Sequence, residues 1–430
     1  MPGSASQCPF PGEIQALLTL GKRAIVSAAV WQPLDRVWYR FQDIGESGGC
    51  RRPRAFDASL PAFAPFYRWF SRNRNLRSSD FAVIGMASEK EQVLSIGVDL
   101  GGTSLRIAAY TPDIGVLDTI SFRTRLESGP LAVVDDMCSA ILRLLEQHSN
   151  GREIAGIGVG SPGPLELPAG RLHHPPNLPG WDGFPLLAEM EQRLRRTVVI
   201  ESDANAAVLA EFKLGIGKEL GVDSMCMLTL GTGVGNGIVL DGKLWHGATG
   251  MGGEAGHVTI YPDGASCGCG NNGCLEACAS ATAVVNAAER LIAASEAPGL
   301  ARLKERETPL TAHSIAKAAR QGDVKALSVY TDTGRALGIC LAGLINILNL
   351  PLYVIGGGVA NSWDLLSPSL FEELERRSYV YALTAPGRAA SKGMPGGGTK
   401  VLPAKLGAEA GLLGACILPV YSSKPTWAPA

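Results

Sequence analysis

From residue 93 onward, apolar runs of strand length alternate with longer stretches in which apolar residues recur every three or four positions. Residues 93–99 and 104–110 read as two strands around a tight turn at 100–103, and helical spacing follows over 131–147. A strand at 154–160 runs into Ser161-Pro162-Gly163-Pro164; a helix at 185–195, a strand at 198–201 and a helix over 205–214 come next. The hairpin theme then returns, with strands at 225–230 and 237–240 around Gly231-Thr232-Gly233. Two strand, glycine-turn, strand units, each opening an alternating half, predict a duplicated α/β architecture with a cleft between two lobes. The longest uncharged stretch, 336–363, has the length of a membrane span. Asn346, Asn349, Pro351 and the triplet Gly356-Gly357-Gly358 divide it instead into an apolar helix, a short strand and a turn. Residues 404–418 read as a final helix that packs back on the first lobe.

The first 85 residues lack this order. They hold 12 of the 27 aromatic residues and carry a net charge of +5, whereas residues 86–430 carry −6. Beyond one helix expected over 13–30, no period is sustained, and Pro61, Pro65 and the Arg-rich run 68–77 look irregular. The polar run beginning at Met86 leads at once into a strand, as an ordinary start would. Residues 1–85 are therefore expected to be an irregular, poorly ordered extension, either dispensable or ahead of the true start.

At about 150 residues per domain, 430 residues correspond to about three domains, or two and an appendage. Hydrophobic residues at 46%, charged residues at 18% and 53 glycines without a three-residue period exclude wholesale disorder and a fibre. A net charge of −1 provides no general attraction to nucleic acid or an anionic membrane. No secretory signal is recognised, so a cytoplasmic protein is expected. In a reducing compartment the clustered Cys267, Cys269, Cys274 and Cys278 read better as metal ligands than as disulfide partners.

Asp99-Leu100-Gly101-Gly102-Thr103 ends an apolar strand. Adjacent glycines allow close backbone approach, turn N–H groups can face phosphate oxygens, and Asp99 is placed to hold Mg²⁺ or its waters. Taken alone, the same residues could be a plain hairpin turn. The spacing matches neither a Walker A loop nor the Rossmann fingerprint. The second turn, Gly231-Thr232-Gly233, favours the functional reading, because two such turns in two halves can hold a polyphosphate from both sides of a cleft. His257 with Cys267, Cys269 and Cys274 offers three thiolates and one imidazole, the ligand set of a closed structural Zn²⁺ site, although reactive or buried thiols would show the same spacing. Cys278 reads as a packed thiol. Asp203, between a strand and a helix, could locally be just an N-cap.

These motifs, in this order, resemble the ROK family of sugar kinases, in the actin-like and hexokinase-like ATPase superfamily. They are closest to its bacterial glucokinases, over about residue 93 to the C-terminus. The resemblance implies a two-lobed, ribonuclease H-like duplicated fold, with residues 86–206 plus 405–430 forming one lobe and 207–404 the other. It implies Asp203 as the catalytic base that accepts the proton of a sugar hydroxyl. Asn177, in Pro176-Asn177-Leu178-Pro179-Gly180-Trp181, matches the family's sugar loop, and Glu254 and His257 match its E-x-G-H element. Asn205 and Glu276 complete the implied sugar pocket. The pattern C-x-C-G-x-x-G-C-x-E matches from Cys267 to Glu276 and strengthens the zinc reading. Gly357 and Gly358 correspond to the turn that leaves room for the adenosine of ATP. Ser202 stands where family members often have Asn, which puts one secondary contact in doubt.

The expected activity is therefore ATP-dependent and Mg²⁺-requiring phosphorylation of the 6-hydroxyl of glucose, by a protein that the resemblance implies is a homodimer. An N-acetylated hexosamine, mannose or fructose is the alternative substrate. A ROK sugar-sensing repressor is the alternative of another class. It would bind DNA through an N-terminal helix-turn-helix, of which the first 85 residues show no amphipathic helix pair.

Overall fold

The computed structural model describes residues 93–391 and 398–421, together with the backbone of four short strands between residues 13 and 51. The chain divides into two units, Met1–Glu91 and Gln92–Ala430. In the first, β1 (Glu13–Ile14), β2 (Ala24–Val30), β3 (Val37–Ile44) and β4 (Cys50–Arg51) pair antiparallel in sequence order. Strands thus stand at both ends of the helix expected over 13–30, whose residues 15–23 lie outside the described residues, and the segment expected to be irregular contains regular pairing. Ala24–Val30 is a short apolar run, the pattern whose period least separates helix from strand, and Val37–Ile44 is rich in the aromatic and β-branched residues that favour strands. Met86 and the Arg-rich run 68–77 lie outside the described residues.

The second unit contains two five-stranded sheets of the same design. One holds β5 (Val93–Leu100), β6 (Ser104–Thr111), β7 (Gly115–Arg123), β8 (Glu153–Ser161) and β11 (Val198–Ser202), in the order β11-β8-β5-β6-β7. Between β8 and β11, β9 (Leu165–Glu166) and β10 (Arg171–Leu172) form a small separate hairpin. The other sheet holds β12 (Met225–Leu230), β13 (Val234–Leu240), β14 (Lys243–Leu244), β15 (Leu352–Gly356) and β16 (Lys400–Pro403), in the order β14-β13-β12-β15-β16. In each sheet the first three strands form an antiparallel meander, and the two later strands add in parallel beside the first. The duplication expected from the two glycine turns is therefore present strand for strand. β7 and β16 were not anticipated: β7 has an exposed, weakly alternating pattern, and β16 is only four residues long.

Helices cover the sheets where the apolar period dictates. Pro130–His148 turns Val133, Val134, Met137, Ile141 and Leu144 into the first core, against Ile96, Val98 and Ile107. Val324–Leu348, capped by Asp323, whose side chain accepts the Lys325 and Ala326 N–H groups, buries Leu337, Leu341 and Ile345 in the second. The final helix, Ala410–Tyr421, starts later than 404 because β16 and a 3₁₀ turn at Gly407–Glu409 precede it. It returns to the first sheet so closely that a Cβ at Gly158 would clash with the carbonyl oxygen of Ala415. Ser95 Oγ donates to the carbonyl of Cys416 at 2.6 Å beside it. A lobe division at 206/207 falls inside the helix Asp203–Lys213, which packs on both halves: Ala206 faces Gly160 and Val208 faces Gly237. Among the described residues, no helix is long and apolar enough to cross a membrane.

Candidate active site

Parallel pairing brings the carboxyl ends of β5, β8 and β11 side by side, where open α/β sheets place their ligands. Asp99 and Glu201 lie opposite Gly160 in register from either side, and Ser202 lies opposite Ser161. Asp203 follows at once as the first residue of its helix. The capping role open to Asp203 goes instead to Ser202, whose Oγ accepts the Asn205 N–H at 3.1 Å. That leaves the Asp203 carboxylate held, among the described residues, by the Ala204 N–H at 2.7 Å, and it is exposed to solvent. Protein crowds its other sides. This partial desolvation pushes its carboxyl up to about 6 against the Ala204 donation, with further upward pressure from the charges of Asp99 and Glu254.

The first glycine turn is closed by the Gly101 N–H donating to Ser104 O at 3.0 Å, and Thr124 Oγ1 donates to Gly101 O at 2.7 Å. A Cβ at Gly102 would clash with the carbonyl oxygen of Asn177, so the turn and the Asn177 loop touch directly. Leu178 and Trp181 are fully buried and anchor that loop, and Asn177 between its prolines stays exposed. Asp99 is held by Arg106, its partner directly across the hairpin: Arg106 Nε and Nη2 donate to Asp99 Oδ2 at 3.0 and 2.7 Å. Arg106 also reaches Glu409 Oε1 at 3.0 Å and Ala408 O at 2.8 Å. This arginine was missed in the sequence, although hairpin register pairs it with Asp99. Both bonds from Arg106 to Asp99 go to Oδ2, and a carboxylate oxygen not bonded by the guanidinium suits Mg²⁺, which keeps waters and substrate phosphates as its other ligands.

The second turn is tied by Gly231 N–H to Gly233 O at 2.9 Å, and Thr282 Oγ1 donates to Thr232 O at 2.9 Å. Thr229 and Gly356 are partners across β12 and β15, and a Cβ at Gly357 would lie 2.5 Å from Leu230 O. The two glycine segments of the second half, including Gly358 at the start of its 3₁₀ turn, are thereby adjacent. Glu276 turns toward this glycine turn, accepting the Val234 N–H at 2.9 Å through Oε2, while its Oε1 lies 3.8 Å from Cys267 Sγ.

His257, Cys267, Cys269 and Cys274 converge, their ligand atoms all within 4.8 Å of one another. Cys267 Sγ is 3.6 Å from His257 Nδ1 and Cys269 Sγ is 3.7 Å from Cys274 Sγ. A tetrahedron with Zn–S bonds near 2.3 Å has edges of about 3.8 Å, so the donor set and its spacing fit zinc. Cys278 is outside the cluster. His257 turns Nδ1 to the thiols and Nε2 toward Glu254, 3.9 Å from Oε2. Crowding by protein pushes the Glu254 carboxyl above its usual range, opposed by His257 and reinforced by Glu276.

Asn205 is buried, unlike a free rim residue. Its Nδ2 donates to Glu201 Oε2 at 3.0 Å, and its Oδ1 has no hydrogen-bond partner among the described residues. The other oxygen of Glu201 is 2.6 Å from His246 Nε2. Neither Glu201 nor His246 was singled out in the sequence, where 45 residues separate them.

Two duplicated sheets, a glycine turn in each and a carboxylate between them define a two-lobed, actin-like ATPase-type kinase fold. The chain belongs to the ROK family, whose model matches residues 95–420. It is similar to a glucokinase of Halalkalibacterium halodurans, 36% identical over 74% of this chain and 92% of that one. A glucokinase of Thermotoga maritima is 37% identical over 65% of this chain and 86% of its own. The crystal structure of a ROK family glucokinase from Streptomyces griseus in complex with glucose and AMPPNP superimposes with a TM-score of 0.61. It is 32% identical, covering 76% of this chain and 98% of that one.

Proposed function

We propose that this chain transfers the γ-phosphoryl group of ATP to the 6-hydroxyl of glucose, giving glucose 6-phosphate and ADP. The observation that carries the reading is Asp203, a carboxylate freed from capping and exposed within reach of the charges of Asp99 and Glu254. The glucokinase relatives and the relative holding glucose and AMPPNP support the substrates. Asp203 accepts the 6-hydroxyl proton as that oxygen bonds to the γ-phosphorus and the bond to the β-phosphate oxygen breaks, releasing ADP. Asn177, Glu254 and His257 orient the sugar hydroxyls, with Asn205 and Glu276 behind them. Gly101, Gly102, Thr103, Gly231, Thr232 and Gly233 present backbone N–H groups to the phosphates, and Gly357 and Gly358 leave room for the adenosine. Asp99 would hold Mg²⁺, which neutralises charge on the transferring phosphate. His257, Cys267, Cys269 and Cys274 would hold structural Zn²⁺, and His257 Nε2 would then face the sugar with a fixed ring angle.

Turnover with MgATP across glucose, mannose, fructose, N-acetylglucosamine and N-acetylmannosamine tests the substrate; kcat/KM highest for glucose is expected, and a higher value for an N-acetylated sugar would reassign it. The base leaves its own signature in pH. Asp203 works only as the carboxylate, and its value is raised to about 6. Activity should therefore hold above pH 6 and fall roughly tenfold per pH unit below it. A kcat/KM profile flat to about pH 4.5 would show that the Asp203 carboxyl keeps the ordinary carboxylate range in the free enzyme.

A further inference from the structure

The segment 245–253 leaves β14 in the second sheet and carries Glu254 and His257 immediately after it. It starts from the Trp245 N–H donating to Ile238 O at 2.9 Å and closes on itself through the Gly252 N–H donating to His246 O at 2.8 Å. At its tip, Gly250 rests on Leu167, just beyond β9 in the first half, where a Cβ would come within 2.7 Å. The side chain of His246 makes the second crossing, with Nε2 2.6 Å from Oε1 of Glu201 on β11. Glu201 is 7% exposed, and His246 is its ion-pair partner among the described residues. Its other oxygen accepts from buried Asn205, so both oxygens are engaged, and the bonded pair Glu201 and Asn205 flanks Asp203 in the sequence.

We propose that His246 is a positioning residue: its bond to Glu201 latches the segment bearing Glu254 and His257 to the strand end bearing Asp203, and so sets the width of the sugar site. The proposal rests on the reading of those three residues as base and sugar contacts. A nearly buried carboxylate is costly without a cationic or donor partner, so the latch is held closed by the burial of Glu201 itself. The bond to Glu201 also raises the pKa of His246, favouring the charged donor. The latch crosses on the sugar side, while both glycine turns are tied by bonds that do not include His246.

The test compares glucose and ATP kinetics of the 430-residue chain with those of His246→Ala, His246→Gln, Glu201→Gln and the double Gln variant. His246→Ala should raise the glucose KM about tenfold, the loss of one charge-assisted hydrogen bond, and leave the ATP KM within about twofold. His246→Gln should recover most of the loss, since its amide N–H can reach the same carboxylate. Effects of the two Gln substitutions should be non-additive. Equal rises in both KM values, no rescue by Gln, or unchanged kinetics with a lowered Tm alone would overturn the latch. Glucose binding by calorimetry without ATP, and the thermal midpoint of each variant, complete the set. A wild type that binds and turns over no hexose sinks the kinase reading; an active wild type with indifferent variants sinks only the latch.

Discussion

Asp203→Asn lowers kcat for glucose by about three orders of magnitude, within the range general-base groups contribute, while the protein stays folded and still binds glucose. The amide keeps the size of the side chain and can still accept the Ala204 N–H, so the helix start survives; Ser202, not Asp203, caps it. What disappears is the one atom able to take the hydroxyl proton. The variant should therefore separate binding from chemistry: a nearly unchanged glucose affinity by calorimetry beside a collapsed kcat. A kcat within about threefold of wild type would show that another group, or solvent, removes the proton.

Loss of the proposed zinc should weaken glucose binding by a different route. Cys274 is fully buried at the base of its knuckle, and Leu275 beside it belongs to the second core. Three thiolates packed this closely would repel one another, and a bound zinc would relieve that repulsion. Cys274→Ser, or removal of metal by a strong chelator, should reduce bound zinc from one per chain to none. Since His257 Nδ1 faces the thiols and Nε2 faces Glu254, the freed ring loses its angle, and the glucose KM should rise at least about tenfold. Metal analysis with glucose kinetics on the same preparation checks this. A folded, zinc-free protein with an unaltered glucose KM would reduce the cluster to a thiol knuckle.

Much of this site is legible in the sequence because its signals are local. The glycine turns declare themselves by composition, and the repeated hairpin beside each announces the duplication that strand order then displays. The knuckle is compact enough for spacing to suggest its ligands. Asp203 is a divided case: position alone favours a cap, and only the neighbouring Ser202, one residue earlier, turns out to do the capping. Arg106 could have been found by counting across the hairpin from Asp99. Glu201 and His246 could not, since their pairing depends on how a segment from one half reaches the other, and no period or turn chemistry encodes it. The burial of Asn205 is of the same kind. The strand at Ala24–Val30 shows the opposite failure, a run too short and too apolar for its period to distinguish helix from strand.

The central claim is the transfer of phosphate from ATP to the 6-hydroxyl of glucose. Its most direct test incubates the 430-residue chain with MgATP and glucose and detects product through a glucose 6-phosphate dehydrogenase couple. The predicted result is reduced nicotinamide cofactor formed one for one with glucose consumed, dependent on ATP and absent with Asp203→Asn. ADP release without glucose 6-phosphate, or no turnover of glucose by the folded, zinc-loaded chain, would contradict it.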